Sequence, residues 1–210
     1  DSTYGVNGWG DVSGDKRINS RNGMAAKLFY SADANRFCAY WGGNTAGNKS
    51  PFHAGVGTIV SVIKPRDTDK RIVWALGNGN NNAIDCVALA VENDSTLSLV
   101  KKDGTELVSV TGIKNLTTTY HFVVAVCTPE STILMVDDLI ATSDKVIPGT
   151  INASGQLGST YEANPTGYSR QGANGCYLDD WTVYDSVLTQ NELKALRSRL
   201  TPRPFFIRVR

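Results

Sequence analysis

Few titratable side chains in this chain have the spacing that acid–base or nucleophilic catalysis requires. Glycoside hydrolysis needs two carboxylates facing one cleft, and Asp179 and Asp180 come nearest to such a pair. Neighbouring strand residues point to opposite faces of a sheet, so these two cannot share a cleft without a bulge. The two histidines, His53 and His121, lie in no recognisable triad motif. The sequence therefore predicts no catalytic residue, and we expect the two aspartates to make structural hydrogen bonds at a strand start.

A polar, tyrosine-rich stretch at 159–170 is the best candidate for ligand binding. Long polar loops carry many binding sites, and sugar recognition needs an aromatic face with a few polar groups. Trp41, in a segment rich in Gly and Asn, could supply another such face, whereas the strand-like contexts of Trp74 and Trp181 favour the core. A solvated connection without a ligand is the alternative. The predicted ligand-binding residues are Trp41, Tyr161, Glu162, Asn164, Tyr168 and Arg170.

The four cysteines, Cys38, Cys86, Cys127 and Cys176, are too far apart in sequence for a metal or redox motif of the Cys-x-x-Cys type. Each lies in a strand-like context. Buried free thiols that act as small apolar groups are one interpretation. One or two structural disulfides of a secreted protein are the other.

Length and composition fit one globular domain. The chain has 210 residues, 41% of them hydrophobic and 20% charged, with a net charge of +1. This balance argues against a dedicated nucleic-acid-binding protein, which would carry a basic excess. The sequence contains no run of 18 apolar residues, so we predict no membrane span. It does not start with a basic stretch followed by an apolar one, so we predict no signal peptide in it. Because it begins at Asp1 rather than Met, we interpret it as a processed form or an excised piece.

Short β-prone runs separated by turns rich in Gly, Asn and Asp dominate the middle of the chain. These runs are 57–64, 71–76, 84–91, 96–100, 106–110, 120–127, 132–136 and 139–141. The strongest hairpin signal is Asp103-Gly104, between two of the runs. The run at 120–127 is almost entirely apolar or β-branched, so we expect a strand buried on both faces. Turns at this spacing, without intervening helices, predict a two-sheet antiparallel sandwich.

One helix is predicted near the end of the chain. Thr189 is its N-cap and Glu192 completes a capping box, while Leu188 can pack on Leu193 as a hydrophobic staple. Pro202 ends it. The apolar face is narrow and consists of Leu193, Leu196 and Leu200. Such a narrow face predicts a helix on the edge of the sandwich.

The two ends of the chain are interpreted as possible contacts with other molecules. We read 1–210 as a single domain, in which residues 1–50 form an N-terminal strand or arm region and 203–210 a tail strand. The arm, or the β-prone run Phe205–Arg210, could pair with the same domain or reach a second copy of the chain.

Three segments resemble the laminin-G-like, concanavalin-A-like lectin–glucanase superfamily. The run at 177–193, with paired acids and a Tyr leading through Leu188 into a capped helix, is similar to the closing strand and helix of that family. Residues 121–139 resemble its central meander, and 57–64 its early core strand. The family turn is usually Asp-Gly, so Asp138 departs from the pattern. The resemblance implies an all-β jelly roll of 12–14 antiparallel strands with one short C-terminal helix.

Calcium is common in this family, which makes one Asn-rich turn a candidate metal site. Oxygen ligands could come from Asn78, Asn80, Asn82 and Asp85. With one carboxylate among them, binding would be weak. We therefore predict that the protein requires no cofactor, with Ca2+ as an optional ligand.

The resemblance does not imply one activity, because members include lectin modules, adhesion modules, glucanases, lyases and viral surface domains. We predict a non-catalytic carbohydrate-binding or adhesion module outside the cell, with a glycan or a surface protein as partner. The first alternative is a structural subunit of a virion or surface filament. The second is a polysaccharide hydrolase or lyase. The glucanase spacing Glu-x-Asp-x-x-Glu is absent from the chain.

Overall fold

The computed structural model describes most of the chain from residue 56 to residue 200 and four short segments before it. The described residues are 19–20, 27–31, 36–41, 46–49, 56–66, 68, 70–77, 86–147, 154–157, 166–168, 176–184 and 186–200. Within them, fourteen strands and one helix occur. Their bounds are β1 Asn19–Ser20, β2 Lys27–Ser31, β3 Arg36–Trp41, β4 Ala46–Lys49, β5 Gly57–Pro65, β6 Arg71–Gly77, β7 Cys86–Asn93, β8 Thr96–Lys101, β9 Glu106–Val110, β10 His121–Cys127, β11 Thr132–Val136, β12 Leu139–Ser143, β13 Ser154–Leu157, β14 Cys176–Tyr184 and α1 Gln190–Leu200.

These strands form two seven-stranded sheets in which every pairing is antiparallel. Sheet A has the order β1-β4-β13-β6-β7-β8-β9, and sheet B the order β12-β11-β10-β5-β14-β3-β2. Neighbouring strands are therefore often far apart in sequence, as in β14 beside β5 and β13 beside β6. The predicted all-β, two-sheet jelly-roll sandwich with one short C-terminal helix is confirmed.

The inner faces of the two sheets enclose the main core. In β5, Ile59 and Ile63 point into this core, and Trp74 of β6 faces them from sheet A with no exposed surface. The indole Nε1 of Trp74 donates a hydrogen bond of 3.2 Å to Ser61 Oγ, which satisfies two polar groups between the sheets. Trp74 is therefore a core residue, as predicted, and the half-buried Trp181 packs against the same core.

Strand β10 is buried along its whole length, as its apolar sequence predicts. Val123 and Ala125 point into the inner core, while Phe122 and Val124 point to the outer face of sheet B. A strand covered on both faces has no need of polar residues at alternate positions, which explains the continuous apolar run.

Helix α1 covers the outer face of sheet B and corrects the predicted place of the helix. Leu193 and Leu200 are buried against Val60, Val62 and Phe122, and Leu188 and Leu196 pack on the same cluster. Since β5 and β10 are central strands of the sheet, the helix lies over the middle of this face and not on the edge. The prediction was wrong because the narrowness of the apolar face does not specify where on the sheet the helix packs.

The predicted capping box begins α1. The Glu192 N–H donates to Thr189 Oγ1 over 3.3 Å, and the Thr189 N–H donates to Glu192 Oε2 over 2.7 Å. The connection from β14 is held nearby by Thr58 of β5, whose hydroxyl donates to Ser186 O and accepts from the Leu188 N–H. The cap and the staple therefore fix the point at which the chain turns onto sheet B.

Two tight turns show how the chain solves local backbone problems. The β8–β9 hairpin forms at Asp103-Gly104 as predicted, with Gly104 at a φ of 85°. In the β11–β12 turn, Asp137 takes the left-handed conformation at a φ of 54°. Aspartate tolerates this region better than most residues. Its carboxylate accepts the Phe122 N–H at 3.0 Å and contacts His121 Nδ1 at 2.7 Å, so buried His121 has a structural role here.

Cys127 and Cys176 are free, buried thiols, which confirms the first interpretation of the cysteines for these two. Burial raises the pKa of both thiols to about 12. A thiol with so high a pKa is a poor nucleophile and a poor metal ligand at neutral pH. The side chains of Cys38 and Cys86 lie outside the described residues.

Four short strands from the predicted N-terminal arm region join the sheets of the same chain. β1 pairs with β4, and β4 pairs with β13 in sheet A; β2 pairs with β3, and β3 with β14 in sheet B. The predicted tail strand at 203–210 lies outside the described residues. Across the described residues, no helix is long and apolar enough to cross a membrane.

Replacing Thr189 by Ala should lower the free energy of unfolding by about 0.5–2 kcal/mol, because the helix loses its N-cap acceptor. Thr189→Ser keeps the hydroxyl and should retain most of the stability. Denaturant unfolding monitored by circular dichroism measures both. Equal stability of Thr189→Ala and the wild type would contradict the capping role.

The capping box of Thr189 and Glu192 should contribute less to stability in acid. Hydrogen bonds from the Thr189 N–H and hydroxyl hold the pKa of Glu192 below its usual range. Its contribution is therefore complete above the unfolded-state pKa of about 4.3 and disappears as the pH falls through the lower folded-state pKa. The stability difference between Thr189→Ala and the wild type should shrink accordingly at low pH.

Candidate ligand-binding site

Small apolar side chains form a depression on the outer face of sheet A, and other residues cover it completely. Strand β7 alternates Val87, Leu89 and Val91 inward with Ala88 and Ala90 outward. Strands β6 and β8 complete the floor of the depression. The floor consists of Ile72, Ala75, Ala88, Ala90 and Val100. Alanine at alternate positions of a central strand leaves room above the sheet for a larger group.

The ring of Tyr168 packs on this floor and is held there by its hydroxyl. Tyr168 is half-buried, and its OH donates a hydrogen bond of 2.6 Å to Glu92 Oε1 at the end of β7. Burial, this hydrogen bond and the negative charges of Glu92 and Glu106 raise the pKa of Tyr168 above its usual range. The phenol is therefore neutral and a hydrogen-bond donor throughout the physiological pH range.

Lys70 lies close to Tyr168 and Glu92 and is exposed to solvent. Its Nζ lies 5.7 Å from the centroid of the Tyr168 ring and 4.0 Å from Glu92 Oε2. Its side chain is 64% exposed, so the ammonium stays hydrated and the pair with Glu92 contributes little to stability. We name this group, Lys70, Glu92 and Tyr168, the Tyr168 cluster.

Residues 166–168 are docked on the β8–β9 hairpin at the other end of the depression. The Thr166 N–H and hydroxyl both point to Lys102 O, at 3.0 and 3.4 Å. A Cβ built on Gly104 would lie 2.4 Å from Thr166 O, so only a glycine allows this approach. The Gly in the hairpin therefore serves the turn and the docking of the segment that carries Tyr168.

Serine and glutamate side chains form a polar margin beside the depression. Ser98 Oγ and Ser109 Oγ donate to the two carboxylate oxygens of Glu106 at 3.5 and 3.3 Å. Lys145 Nζ donates to the backbone carbonyl of Glu106 at 3.0 Å. A half-buried aromatic side chain with a carboxylate and an ammonium nearby can stack on a sugar ring and exchange hydrogen bonds with its hydroxyl groups.

The floor itself cannot touch a ligand. Its five residues have no exposed surface, and Tyr168 is the described residue that packs on them. Thr166 and Gly167 are exposed beside it. A ligand at this face would therefore meet Tyr168, Lys70 and the exposed backbone of 166–167.

Of the predicted ligand-binding residues, Tyr168 has its side chain among the described residues. Trp41 ends β3 in sheet B, where it pairs with Cys176 along the backbone, and its side chain is outside the described set. Tyr161, Glu162, Asn164 and Arg170 also lie outside it. Sequence analysis missed Lys70 and Glu92, which contact Tyr168 from positions far away in the chain.

The predicted calcium ligands Asn78, Asn80, Asn82 and Asp85 lie outside the described residues. Within the described part of the chain, no group of three or more His, Cys, Asp or Glu side chains is arranged to hold a metal ion.

The geometry at Asp179 and Asp180 requires a correction. The register between β14 and β5 shifts between Leu178 and Asp180, so a bulge interrupts the simple alternation that the sequence argument assumed. Asp180 Oδ1 accepts a hydrogen bond of 2.9 Å from the Thr182 hydroxyl, which fits the structural role expected for it. The side chain of Asp179 lies outside the described residues.

Aromatic and basic side chains also meet at one end of sheet B. Lys64 Nζ lies 5.0 Å from the Tyr120 ring centroid and 5.1 Å from that of Tyr177, and the Arg66 guanidinium lies 5.6 Å from the latter. Tyr177 and Lys64 are register partners on adjacent strands. This group provides a comparison site on the opposite side of the sandwich.

Comparison with solved structures identifies the same fold in carbohydrate-associated and pentraxin domains. Domain 4 of AbnA, a GH43 extracellular arabinanase from Geobacillus stearothermophilus, in complex with arabinotriose, is 14% identical over 92% of this chain and 95% of that chain, with a TM-score of 0.66. The heptameric SAP-like pentraxin of Limulus polyphemus is 17% identical over 80% and 83%, with a TM-score of 0.59. The CBM40 of the Ruminococcus gnavus IT-sialidase bound to α2,3-sialyllactose is 19% identical over 76% and 95%, with a TM-score of 0.52.

The chain thus has the jelly-roll fold of these domains. At such identities the similarity concerns the fold. No protein-family model and no curated protein sequence matches the chain.

Substituting Gly104 by Ala should destabilise the protein more than substituting Gly112. Both glycines have positive φ, 85° and 76°, so both variants carry the strain of a left-handed alanine, about 1–2 kcal/mol. The new methyl group meets Thr166 O in Gly104→Ala, whereas a methyl group at position 112 would have no non-neighbouring atom within 4 Å. We expect an additional loss of about 1–3 kcal/mol for Gly104→Ala in denaturant unfolding. Equal losses would show that 166–168 does not dock on the hairpin.

Proposed function

We propose that this chain is a non-catalytic carbohydrate-binding module, displayed outside the cell, that binds a glycan at the Tyr168 cluster. The observation that carries the proposal is the half-buried Tyr168 side chain fixed beside Glu92 and Lys70 on the outer face of sheet A. An aromatic surface with a few oriented polar groups is what sugar recognition requires.

The asymmetry of the sandwich supports this choice of face. Helix α1 covers the middle of the outer face of sheet B with apolar contacts. The outer face of sheet A instead carries a docked polar segment, 166–168, that ends in an aromatic residue. Loops fixed to a rigid sheet are favourable places for recognition, because little further ordering is needed when a ligand binds.

Two of the structures with this fold contain sugars, arabinotriose in one and α2,3-sialyllactose in the other. These two sugars differ in size and charge, so they support the class of ligand and leave the particular glycan open to experiment. The cluster contains a cation and a carboxylate, and either can bind the hydroxyl groups of a neutral sugar.

The side-chain contacts within the Tyr168 cluster also favour binding over catalysis. The phenol of Tyr168 is committed to Glu92, and its raised pKa makes it a poor base at neutral pH. Glu92 is thereby held by two neighbours, Tyr168 and Lys70. These contacts orient the cluster for recognition, and we assign no proton transfer to it.

Glycan binding should depend on Tyr168. A panel that includes arabino-oligosaccharides and sialyllactose is screened on an array, and hits are titrated by calorimetry. Tyr168→Ala should weaken binding by about thirtyfold or more, because loss of a central aromatic contact costs about 2 kcal/mol or more. Tyr168→Phe keeps the ring and should lose less.

The matched control is Tyr177→Ala, which removes a half-buried tyrosine from sheet B. It should leave the affinity unchanged. Absence of binding to every glycan in the panel would contradict the proposed function. Equal losses in Tyr168→Ala and Tyr177→Ala would reject the proposed face.

Binding should not require calcium. We propose that no cofactor takes part, since Asn78, Asn80, Asn82 and Asp85 offer one carboxylate among four oxygen ligands. Affinities measured in excess EDTA and in millimolar-range Ca2+ should be the same. Binding that disappears in EDTA, and returns with Ca2+, would overturn this prediction.

A further inference from the structure

Strand β12 is an outer strand whose side chains are unusually exposed and uncharged. It lies at the end of sheet B and has the sequence Leu-Ile-Ala-Thr-Ser. Ile140 is 62% exposed, which makes it the most exposed large apolar residue in the described chain, and Leu139 is also exposed. Exposed apolar residues on a strand at the edge of a sheet mark a surface that gains free energy when it is covered.

The backbone of β12 has hydrogen-bonding groups directed to solvent. A two-residue turn joins Val136 to Leu139, so these two residues form a hydrogen-bonded pair, and Leu134 with Ala141 is the next such pair. The N–H and C=O groups of Ile140 and Thr142 therefore point away from β11. No hydrogen bond in the described part of the chain reaches these outward groups.

The other outer strands carry features that prevent edge pairing. β1 has two residues, and β2 begins with Lys27. β9 begins with Glu106, whose backbone carbonyl accepts a hydrogen bond from Lys145 Nζ. Short length, charge and coverage are the usual protections of an outer strand. β12 has none of these: its five residues contain no charge, no proline and no bulge.

We propose that β12 is the docking edge for a second copy of this chain, which pairs antiparallel with it through β12 across a two-fold axis. An uncharged strand can pair with itself without bringing like charges together. The pairing covers the exposed Ile140 and at the same time gives partners to its outward N–H and C=O groups, which favours a second copy as the occupant.

Charge and the burial of Ile140 together favour one register. A two-fold axis at Ala141 would place Asp138 opposite Asp144, and like charges directly across a strand pair are destabilising. The ion pair of Asp138 with Arg197, at 2.6 Å, reduces this repulsion without removing it. An axis at Ile140 places the two Ile140 side chains opposite each other and Asp138 opposite Thr142. The register about Ile140 therefore buries the most exposed apolar side chain and avoids the acidic clash.

This pairing extends sheet B through both copies and keeps their faces on the same sides. The axis is perpendicular to the sheet, so both sheet A faces, with their Tyr168 clusters, point in one direction. A strand pair of five residues is small against the roughly 1,200 Å² that specific interfaces usually bury. The association is therefore concentration-dependent, and a dimer would present two binding faces to one surface.

Sedimentation or light scattering of the full chain, over roughly 1 µM to 1 mM, tests the dimer. The wild type should shift from monomer to dimer. Ile140→Lys should remain monomeric, because two lysines would then face each other across the axis. The matched control is Val187→Lys: Val187 is 47% exposed and lies next to Leu188, which is bonded to β5, three strands from β12. The Val187→Lys variant should dimerise like the wild type.

A wild type that is monomeric at every concentration would overturn the proposal, and so would equal weakening of the dimer by the two lysine variants.

A pair of cysteine variants tests the register even if a lysine variant folds poorly. Ile140→Cys should give a disulfide-linked dimer under oxidation, since the two residues face each other, whereas Thr142→Cys should not, because its copies are several residues apart. The wild type, oxidised in the same way, shows whether the native cysteines form intermolecular disulfides by themselves. Cross-linking through position 142 in place of 140 would reject the pairing. Glycan affinity of a monomeric variant in solution should be unchanged, which separates this proposal from the function of the Tyr168 cluster.

Discussion

Leu193 and Leu200 of α1 pack on the valines of β5 and on Phe122 of β10, and this apolar contact determines which surfaces of the sandwich remain for recognition. Because α1 covers the outer face of sheet B, β5 and β10 are buried on both faces; β10 is almost entirely apolar, and β5 is apolar apart from Thr58, Ser61 and Lys64. Thr58 and the capping box at Thr189 fix where the helix begins. Among the residues that the structure describes, no helix packs on the outer face of sheet A, which instead holds a docked polar segment.

The Tyr168 cluster follows from small residues on one side and a tight turn on the other. Ala88 and Ala90 make room for the ring, and Gly104 allows the backbone of Thr166 to approach the hairpin. The hydroxyl of Tyr168 is then satisfied by Glu92, so burying half of the side chain leaves its polar group hydrogen-bonded. A ring held in this way loses little conformational entropy on binding, which favours recognition by stacking. Dimerisation through β12 would place two such rings on the same side.

Local sequence signals predicted much of the fold, and long-range contacts account for what they missed. Alternation gave the core strands, Asp103-Gly104 gave the hairpin, and Thr189 with Glu192 gave the start of the helix, because each signal acts within a few residues. The position of α1 and the bulge beside Asp179 depend on strands distant in sequence, so no local pattern reports them. Tyr168 was found because an aromatic residue in a polar loop is conspicuous. Lys70 and Glu92 have no local signal, since only the pairing of β6 with β7 brings them to Tyr168.

The central claim is that recognition belongs to the outer face of sheet A and not to the face that carries α1. Backbone amide NMR of the full chain, titrated with a glycan that binds, tests this most directly. The account predicts that the largest shifts cluster at Lys70, Glu92 and residues 166–168, while α1 and the strands beneath it stay unchanged. Shifts concentrated at α1, or around Lys64 and Tyr177, would place the ligand on sheet B and contradict the account.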